Sequence, residues 1–358
     1  MTTAEETLEV LSSVRDSGSG KSLLELGWIE PIRMDPPRIT VRLKLPNFAQ
    51  NQRDRIAKEI KDLLEQLSDI ENVQIELANT SQPGEIGKAG HGDNKPLQAI
   101  KGVKNIIAIT SGKGGVGKST VAVNLASALA KKGYKIGLLD ADIYGPNTPI
   151  MLGVAEKLPA VSGSGADQKI IPIESYGIAL VSMGFLIDED QPVIWRGPML
   201  NGIIRQFLYQ AEWGERDFLI VDMPPGTGDA QLSLAQAVPM SGVVIVTTPQ
   251  KVSLQDSRRG LAMFKQMDIP ILGVVENMSV FIPPDLPNKR YELFGQGGGE
   301  QLANENAVPL IAKIPMELNV VSGGNEGWPI VDRHPDSFSA KAFEKLANSI
   351  LTNTLIKA

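Results

Sequence analysis

The chain has 358 residues, a formal net charge of -6 and a calculated pI of about 5.2. It is long enough for two domains, one of them large, and its acidic balance argues against generic binding to nucleic acid or to anionic membranes. Cysteine is absent, which removes disulfides, thiolate nucleophiles and any thiolate metal site supplied by this chain alone. His91 and His334 are the two imidazoles, and one isolated histidine per region makes no ligand set. No stretch has the apolar length needed to cross a bilayer. The first residues, Met1-Thr2-Thr3-Ala4-Glu5-Glu6, are acidic where a signal peptide is basic, so the reading is a soluble, cytoplasmic protein.

Residues 1–78 read as a small α/β domain. Leu8, Leu11 and Val14 share a helical face that ends at Gly18-Ser19-Gly20. Extended stretches over 28–34 and 39–45, joined by Asp35-Pro36-Pro37, predict a hairpin whose first strand Pro31 makes an edge. Ile56, Ile60, Leu63, Leu64 and Leu67 recur at helical spacing, and 73–77 alternates like a last strand. Residues 79–100 are dominated by Gly, Pro, Ser, Gln, Asp, Asn and Lys, which predicts a flexible linker rather than an ordered loop of a compact domain.

The second domain, 101–358, begins with an apolar strand over 106–110. A Gly-rich loop follows, then a helix through Lys131 closed by Gly133. Apolar runs at 135–140, 218–222, 242–247 and 271–276 alternate with helical segments such as 199–210 and 254–267. That alternation predicts an α/β fold: a phosphate-loop NTPase with a mostly parallel, doubly wound sheet and right-handed crossovers. The segment 338–356 reads as a closing helix with Phe343, Leu346, Ile350 and Leu351 inward; its polar face lacks the basic character of a membrane-binding helix.

The chemistry centres on Gly112-Lys113-Gly114-Gly115-Val116-Gly117-Lys118-Ser119-Thr120. Glycines let backbone N–H groups turn inward around an anion, Lys118 adds a charge for the outer phosphates, and Ser119 offers a hydroxyl to Mg²⁺. The helix that opens there adds unpaired N–H groups and its positive dipole end. A strand before the loop and a helix after it supply the context that the motif requires. An ordinary phosphate loop needs no second lysine, so by itself Lys113 reads as a solvated side chain.

Asp140-Ala141-Asp142 ends the next apolar strand, where an open parallel sheet gathers its ligand-binding loops. A spacing of two along a strand end points both carboxylates the same way. One of them could hold a Mg²⁺ water and the other position an attacking water; the plain alternative is that they cap the loop Ile143-Tyr144-Gly145-Pro146-Asn147. Asp222 ends 218–221, and the rigid loop Met223-Pro224-Pro225-Gly226-Thr227-Gly228-Asp229 follows. An apolar strand ending in Asp is the expected second half of such a site, on the metal side, and a loop of this kind could switch with the γ-phosphate.

Together these features resemble the deviant phosphate-loop ATPases, the group of the septum-site and plasmid-partition ATPases, through Lys113 in Lys-Gly-Gly-Val-Gly-Lys-Ser-Thr. Within the group the chain is similar to the Mrp/ApbC family of iron–sulfur cluster carrier proteins. Asp140 to Asn147, Asp222 to Asp229 and Glu276-Asn277-Met278-Ser279 carry that likeness, and the first eighty residues resemble the MIP18-like domain often fused ahead of these ATPases. The resemblance implies an ATP- and Mg²⁺-dependent homodimer that assembles iron–sulfur clusters or transfers them to apoproteins. It further implies that Lys113 reaches the nucleotide of the other subunit, Asp142 positions the attacking water, and Asp140 and Asp222 serve the Mg²⁺ shell. Asn277 would contact adenine, in a pocket lined by Pro315-Met316-Glu317; without the family Asn277 reads as a turn residue after a strand.

One departure stands out. Carriers of this family bear a Cys-x-x-Cys pair after the Asn-Met-Ser motif, whereas this chain has Val280-Phe281-Ile282-Pro283-Pro284-Asp285-Leu286-Pro287 there, and Leu45-Pro46-Asn47-Phe48 where the small domain of relatives often has a cysteine. Iron–sulfur clusters are held chiefly by thiolates. The expectation is therefore an ATPase that lends its dimer switch to a cluster-holding partner protein. Two other readings compete with it: a positioning or partition-type ATPase, and a nucleotide-gated adaptor with little turnover. No membrane or nucleic-acid partner is expected.

Overall fold

The computed structural model describes residues 7, 10–14, 21–26, 28–29, 33–35, 38–43, 50–67, 72–77, 98–143, 145–162, 169–185, 197–237 and 239–355. The chain divides into two compact units, Met1–Asn94 and Lys95–Ala358.

In the first unit β1 (Arg33–Asp35) pairs antiparallel with β2 (Arg38–Leu43), which pairs parallel with β3 (Asn72–Leu77). Helix α1 (Gln50–Leu64) links β2 to β3. Ile39, Val41 and Leu43 alternate along β2 into one core with Ile56, Ile60 and Leu64 of α1, and with Leu11, Val14, Leu23 and Val73. Periods of two and of about 3.6 thus meet on one apolar layer, as the sequence predicts. Leu8, Pro31, Pro36, Pro37 and residues 44–49 lie outside the described residues, as do residues 78–97 with His91. The second unit starts earlier than position 101: Ile100 is buried in its core, and the Gln98 carbonyl accepts a hydrogen bond from the Tyr209 hydroxyl.

The second unit is built on β4 (Val103–Ser111), β5 (Ile136–Asp140), β8 (Ile173–Ser175), β9 (Ile178–Ser182), β10 (Arg216–Asp222), β11 (Gly242–Thr247), β12 (Ile271–Phe281) and β13 (Leu310–Met316). A two-stranded pair, β6 (Val161–Ser162) with β7 (Lys169–Ile170), stands apart. The eight strands run in the order β13-β12-β11-β4-β10-β5-β9-β8, all parallel except the edge strand β8. Their side chains sort by alternation into two cores. Ile107, Ile109, Leu138, Ile220, Val244 and Val246 face one way, while Ile106, Ala108, Leu139, Leu219, Val221, Val243 and Ile245 face the other.

Helices α2 (Lys118–Lys131) and α10 (Phe338–Leu355) cover the first face through Val121, Leu125, Phe343, Leu346 and Ile350. On that side lie also three shorter helices, α3 (Thr148–Met151), α8 (Leu318–Glu326) and α9 (Ile330–Arg333), with Leu152, Val320 and Ile330 against the core. The second face is covered by α4 (Gly197–Gln210), α5 (Asp229–Ala237), α6 (Lys251–Gln266) and α7 (Gly298–Glu305), through Phe207, Leu234, Phe264 and Leu302. Burial on both faces explains why the central strands read as unbroken apolar runs. Among the described residues, no helix is long and apolar enough to cross a membrane.

Candidate functional site

The carboxyl ends of β4, β5, β10 and β12 converge, and the loops that leave them carry the chemistry. Between β4 and α2 the phosphate loop is fixed by its neighbours. A β-carbon on Gly112 would stand 2.2 Å from the backbone carbon of Asp256, so only glycine lets the loop lie against α6. Gly117, at φ +81°, adopts the left-handed conformation that glycine tolerates, and a β-carbon there would meet Asn277 Nδ2 at 2.2 Å. Val116 is buried, Gly114 and Gly115 are exposed, and Ser119 and Thr120 are half-buried at the start of α2. Lys113 is half-buried, and its ammonium makes no ion pair among the described residues.

Lys118 is buried, with Nζ 2.7 Å from Asp222 Oδ1, 3.2 Å from Asp142 Oδ2 and 3.4 Å from Ser119 Oγ. Burial alone would lower its pKa, but Asp222 and Asp142 outweigh burial and hold it above the usual lysine range. Asp140 is spoken for: Oδ2 accepts from Thr148 Oγ1 (2.8 Å), Thr148 N (3.2 Å) and Ser182 Oγ (3.0 Å), and Oδ1 accepts from Asp142 N (3.1 Å). It thus ties β5 to β9 and to the start of α3. Burial and the nearby charge of Asp222 push its carboxyl up to about 7. Burial likewise raises Asp222, against the pull of Lys118.

Asp222 Oδ2 is buried without a hydrogen-bond partner among the described residues. An orphaned carboxylate oxygen beside the Ser119 hydroxyl, in a site with three carboxylates and one ammonium, fits Mg²⁺ delivered with a nucleotide. Among the described residues there is no group of three or more His, Cys, Asp or Glu that could hold a metal ion by themselves, so phosphate oxygens would complete the shell.

Beside the loop opens a cleft of about 340 Å³ lined by Thr120, Asn147, Asn277, Met278, Met316 and Val321, among others. Asn277 and Met316, chosen from sequence, therefore share one cavity. Asn277 is more than a turn residue, because its Nδ2 donates 2.9 Å to the Val116 carbonyl and braces the loop. Met278 at φ +54° breaks the strand's alternation, which lets two consecutive residues line the cleft. Glu276 turns the other way and accepts from Gly299 N at 2.6 Å, capping α7. His334 lies apart from this site, edge-on to Trp328 at 5.3 Å. Sequence reasoning missed Thr148 and Ser182 and gave Glu276 no role beyond its place in the Asn-Met-Ser motif; Ser182 and Glu276 have partners 42 and 23 positions away, whereas Thr148, eight positions from Asp140, carried a local signal in preceding Pro149 at a helix start.

Fold and site together define a phosphate-loop nucleotide-binding protein. A family model described as NUBPL iron-transfer P-loop NTPase matches residues 102–351, and one described as iron-sulfur cluster assembly protein matches residues 4–77. The iron-sulfur cluster carrier protein of Synechocystis is 52% identical over 351 residues, covering 98% of this chain and 97% of that protein. Among solved structures, the nucleotide-binding protein of Archaeoglobus fulgidus in complex with ADP is similar, with a TM-score of 0.58 and 35% identity, covering 67% of this chain and 92% of that one. The cell division ATPase MinD of Pyrococcus furiosus follows, with a TM-score of 0.50 and 26% identity over 69% of this chain and 98% of that one. This chain belongs to the iron–sulfur cluster carrier family of P-loop NTPases.

Proposed function

We propose that this protein is a Mg²⁺-dependent ATPase that works as a homodimer in the transfer of iron–sulfur clusters to apoproteins, with the cluster held by a partner protein. The observation that carries the reading is Lys118 clamped between Asp142 and Asp222, beside a buried Asp222 Oδ2 that has no hydrogen-bond partner among the described residues. Lys118 exchanges its longer contact, to Asp142, for the outer phosphates of ATP, which leaves Asp142 to position the attacking water. Ser119 and Asp222 would hold Mg²⁺, which when bound would neutralise charge on the phosphates. Asp140 supports the metal side from behind by fixing the loop that carries Asp142. Lys113, whose ammonium makes no ion pair among the described residues, serves the nucleotide of the second subunit.

The sequence contains no cysteine, so the donors present do not suit an iron–sulfur cluster, and cargo binding falls to the partner. A positioning role at a membrane is disfavoured by α10, whose apolar face is spent on the core through Phe343, Leu346 and Ile350. The test is ATP turnover by the wild type and by Lys118→Ala. Turnover lost in the variant supports the reading; a wild type with no turnover to lose points instead to a nucleotide-gated adaptor.

A further inference from the structure

Gln231 lies in the first turn of α5, directly after the loop 223–228, and is 1% exposed. Its Nε2 donates to Thr110 Oγ1 at 2.7 Å and to the Pro224 carbonyl at 2.7 Å. A carbonyl only accepts, so the amide can face Pro224 only through its nitrogen, and Oε1 is left at the other end. That oxygen is buried without a hydrogen-bond partner among the described residues. An apolar side chain of the same length would fill the space without burying an unmade hydrogen bond, so packing alone does not account for the amide. Its role lies in what the nitrogen holds.

Both acceptors belong to the segments that shape the phosphate end of the site. Thr110 is on β4, two residues before Gly112, and Pro224 is two residues after Asp222. A second tie runs in parallel, since Gly226 N donates to the Ser111 carbonyl at 3.0 Å. Met223 N likewise donates to the Ile109 carbonyl at 3.0 Å, so among the described residues the loop is fastened to the strand that enters the phosphate loop at three places, two through the backbone and one through Gln231. Beyond these ties, Thr227 and Gly228 are exposed.

We propose that Gln231 is a positioning residue, which holds the loop 224–228 in register with the third phosphate of ATP and so lets the site distinguish ATP from ADP. It touches no nucleotide; it acts through the loop. The proposal rests on the hydrolysis reading above.

The experiment compares Gln231→Met, Thr110→Val and the double variant with the full-length wild type. ATP and ADP affinity, turnover, and hydrogen exchange at the amides of Gly226, Thr227 and Gly228 are measured for each. ADP affinity is expected to stay within about twofold, while kcat and the preference for ATP over ADP each fall about tenfold, as for a misplaced loop. The double variant should be no worse than Gln231→Met, because both changes break one tie. Exchange at the three amides should quicken. Unchanged kcat and unchanged nucleotide preference would overturn the proposal, as would ADP affinity and thermal stability falling in step with kcat. If the wild type shows no turnover, the hydrolysis reading fails, and exchange decides the tie alone: faster exchange in Gln231→Met supports it, and unchanged protection sinks it. Should Gln231→Met not fold, Thr110→Val carries the same comparison at smaller amplitude.

Discussion

Asn277 Nδ2 donates to the Val116 carbonyl at 2.9 Å, so one side chain belongs both to the wall of the cleft and to the frame of the phosphate loop. The carbonyl fixes the amide's orientation and leaves Oδ1 as the atom available to a base. An acceptor there matches the exocyclic amine of adenine and opposes the carbonyl of guanine.

ATP is therefore expected to bind more tightly than GTP. Asn277→Asp, which sets a carboxylate against the Val116 carbonyl, should weaken ATP about tenfold or more, the cost of one hydrogen bond lost at a buried site. Gly117→Ala should do more damage, since its β-carbon would stand 2.2 Å from Nδ2 at a φ of +81°. Calorimetric titration with ATP and GTP checks all three. Equal affinity of wild type and Asn277→Asp for ATP would show that the brace is not needed for binding.

Much of this frame can be read from the sequence, and the exceptions have physical causes. Strands β4, β5, β10 and β11 announce themselves because both their faces are buried, and the phosphate loop because its glycines and lysine are contiguous. Strand β13 does not, because Lys313 is exposed and Pro315 breaks its apolar run at a sheet edge. Helices α7 and α8 carry Gly298-Gly299 and Gly323-Gly324, residues of poor helix propensity, and they hold through tertiary contacts. The polar braces were the least legible. Asp140 with Ser182, Asn277 with Val116, and Gln231 with Thr110 are separated by 42, 161 and 121 positions, and no local pattern joins them.

Helix α10 tests the packing of the first face. Phe343 is fully buried among Leu346, Ile350 and the strand residues beneath them. Phe343→Ala is expected to cost about 3–5 kcal/mol, from lost transfer energy plus a cavity. The midpoint of urea unfolding of the second unit reads this directly. A loss under about 1 kcal/mol would mean that the helix is loosely docked, and would reopen the reading in which it seeks a surface elsewhere.

Asp217 joins three central strands at their starts. Its Oδ1 accepts from Lys104 Nζ at 2.8 Å, its Oδ2 from Lys135 N at 2.9 Å, and its carbonyl from Asn105 Nδ2 at 3.1 Å. The Lys104 hydrogen bond, then that of Lys135 N, holds the carboxyl below its ordinary range. A folded pKa below the unfolded value of about 3.9 gives stability that is present above pH 4 and is lost as pH falls through the folded pKa. The thermal midpoint should thus drop from pH 5 to pH 3 in the wild type. Asp217→Asn should start lower at pH 5 and fall less over the same interval. Parallel curves for the two proteins would remove Asp217 from the account.

The last prediction concerns cargo. Relatives in this family are named for carrying iron–sulfur clusters, and this chain matches one of them over nearly its whole length. It does so with no cysteine. Cluster assembly on a protein needs thiolates on most or all of the iron positions, and even mixed histidine sites keep some. Anaerobic reconstitution of the pure protein with iron and sulfide is therefore expected to give no stable cluster by absorption and iron counting. A cluster should form when a thiol-bearing partner is present, and its transfer to an apoprotein should depend on ATP and be lost with Lys118→Ala. A stoichiometric, transferable cluster on the isolated chain would overturn this and require ligands other than protein thiolate. The nucleotide site and the cargo site of such a carrier are thus separable, because the braces around Lys118 and Asn277 use no residue that a cluster would need.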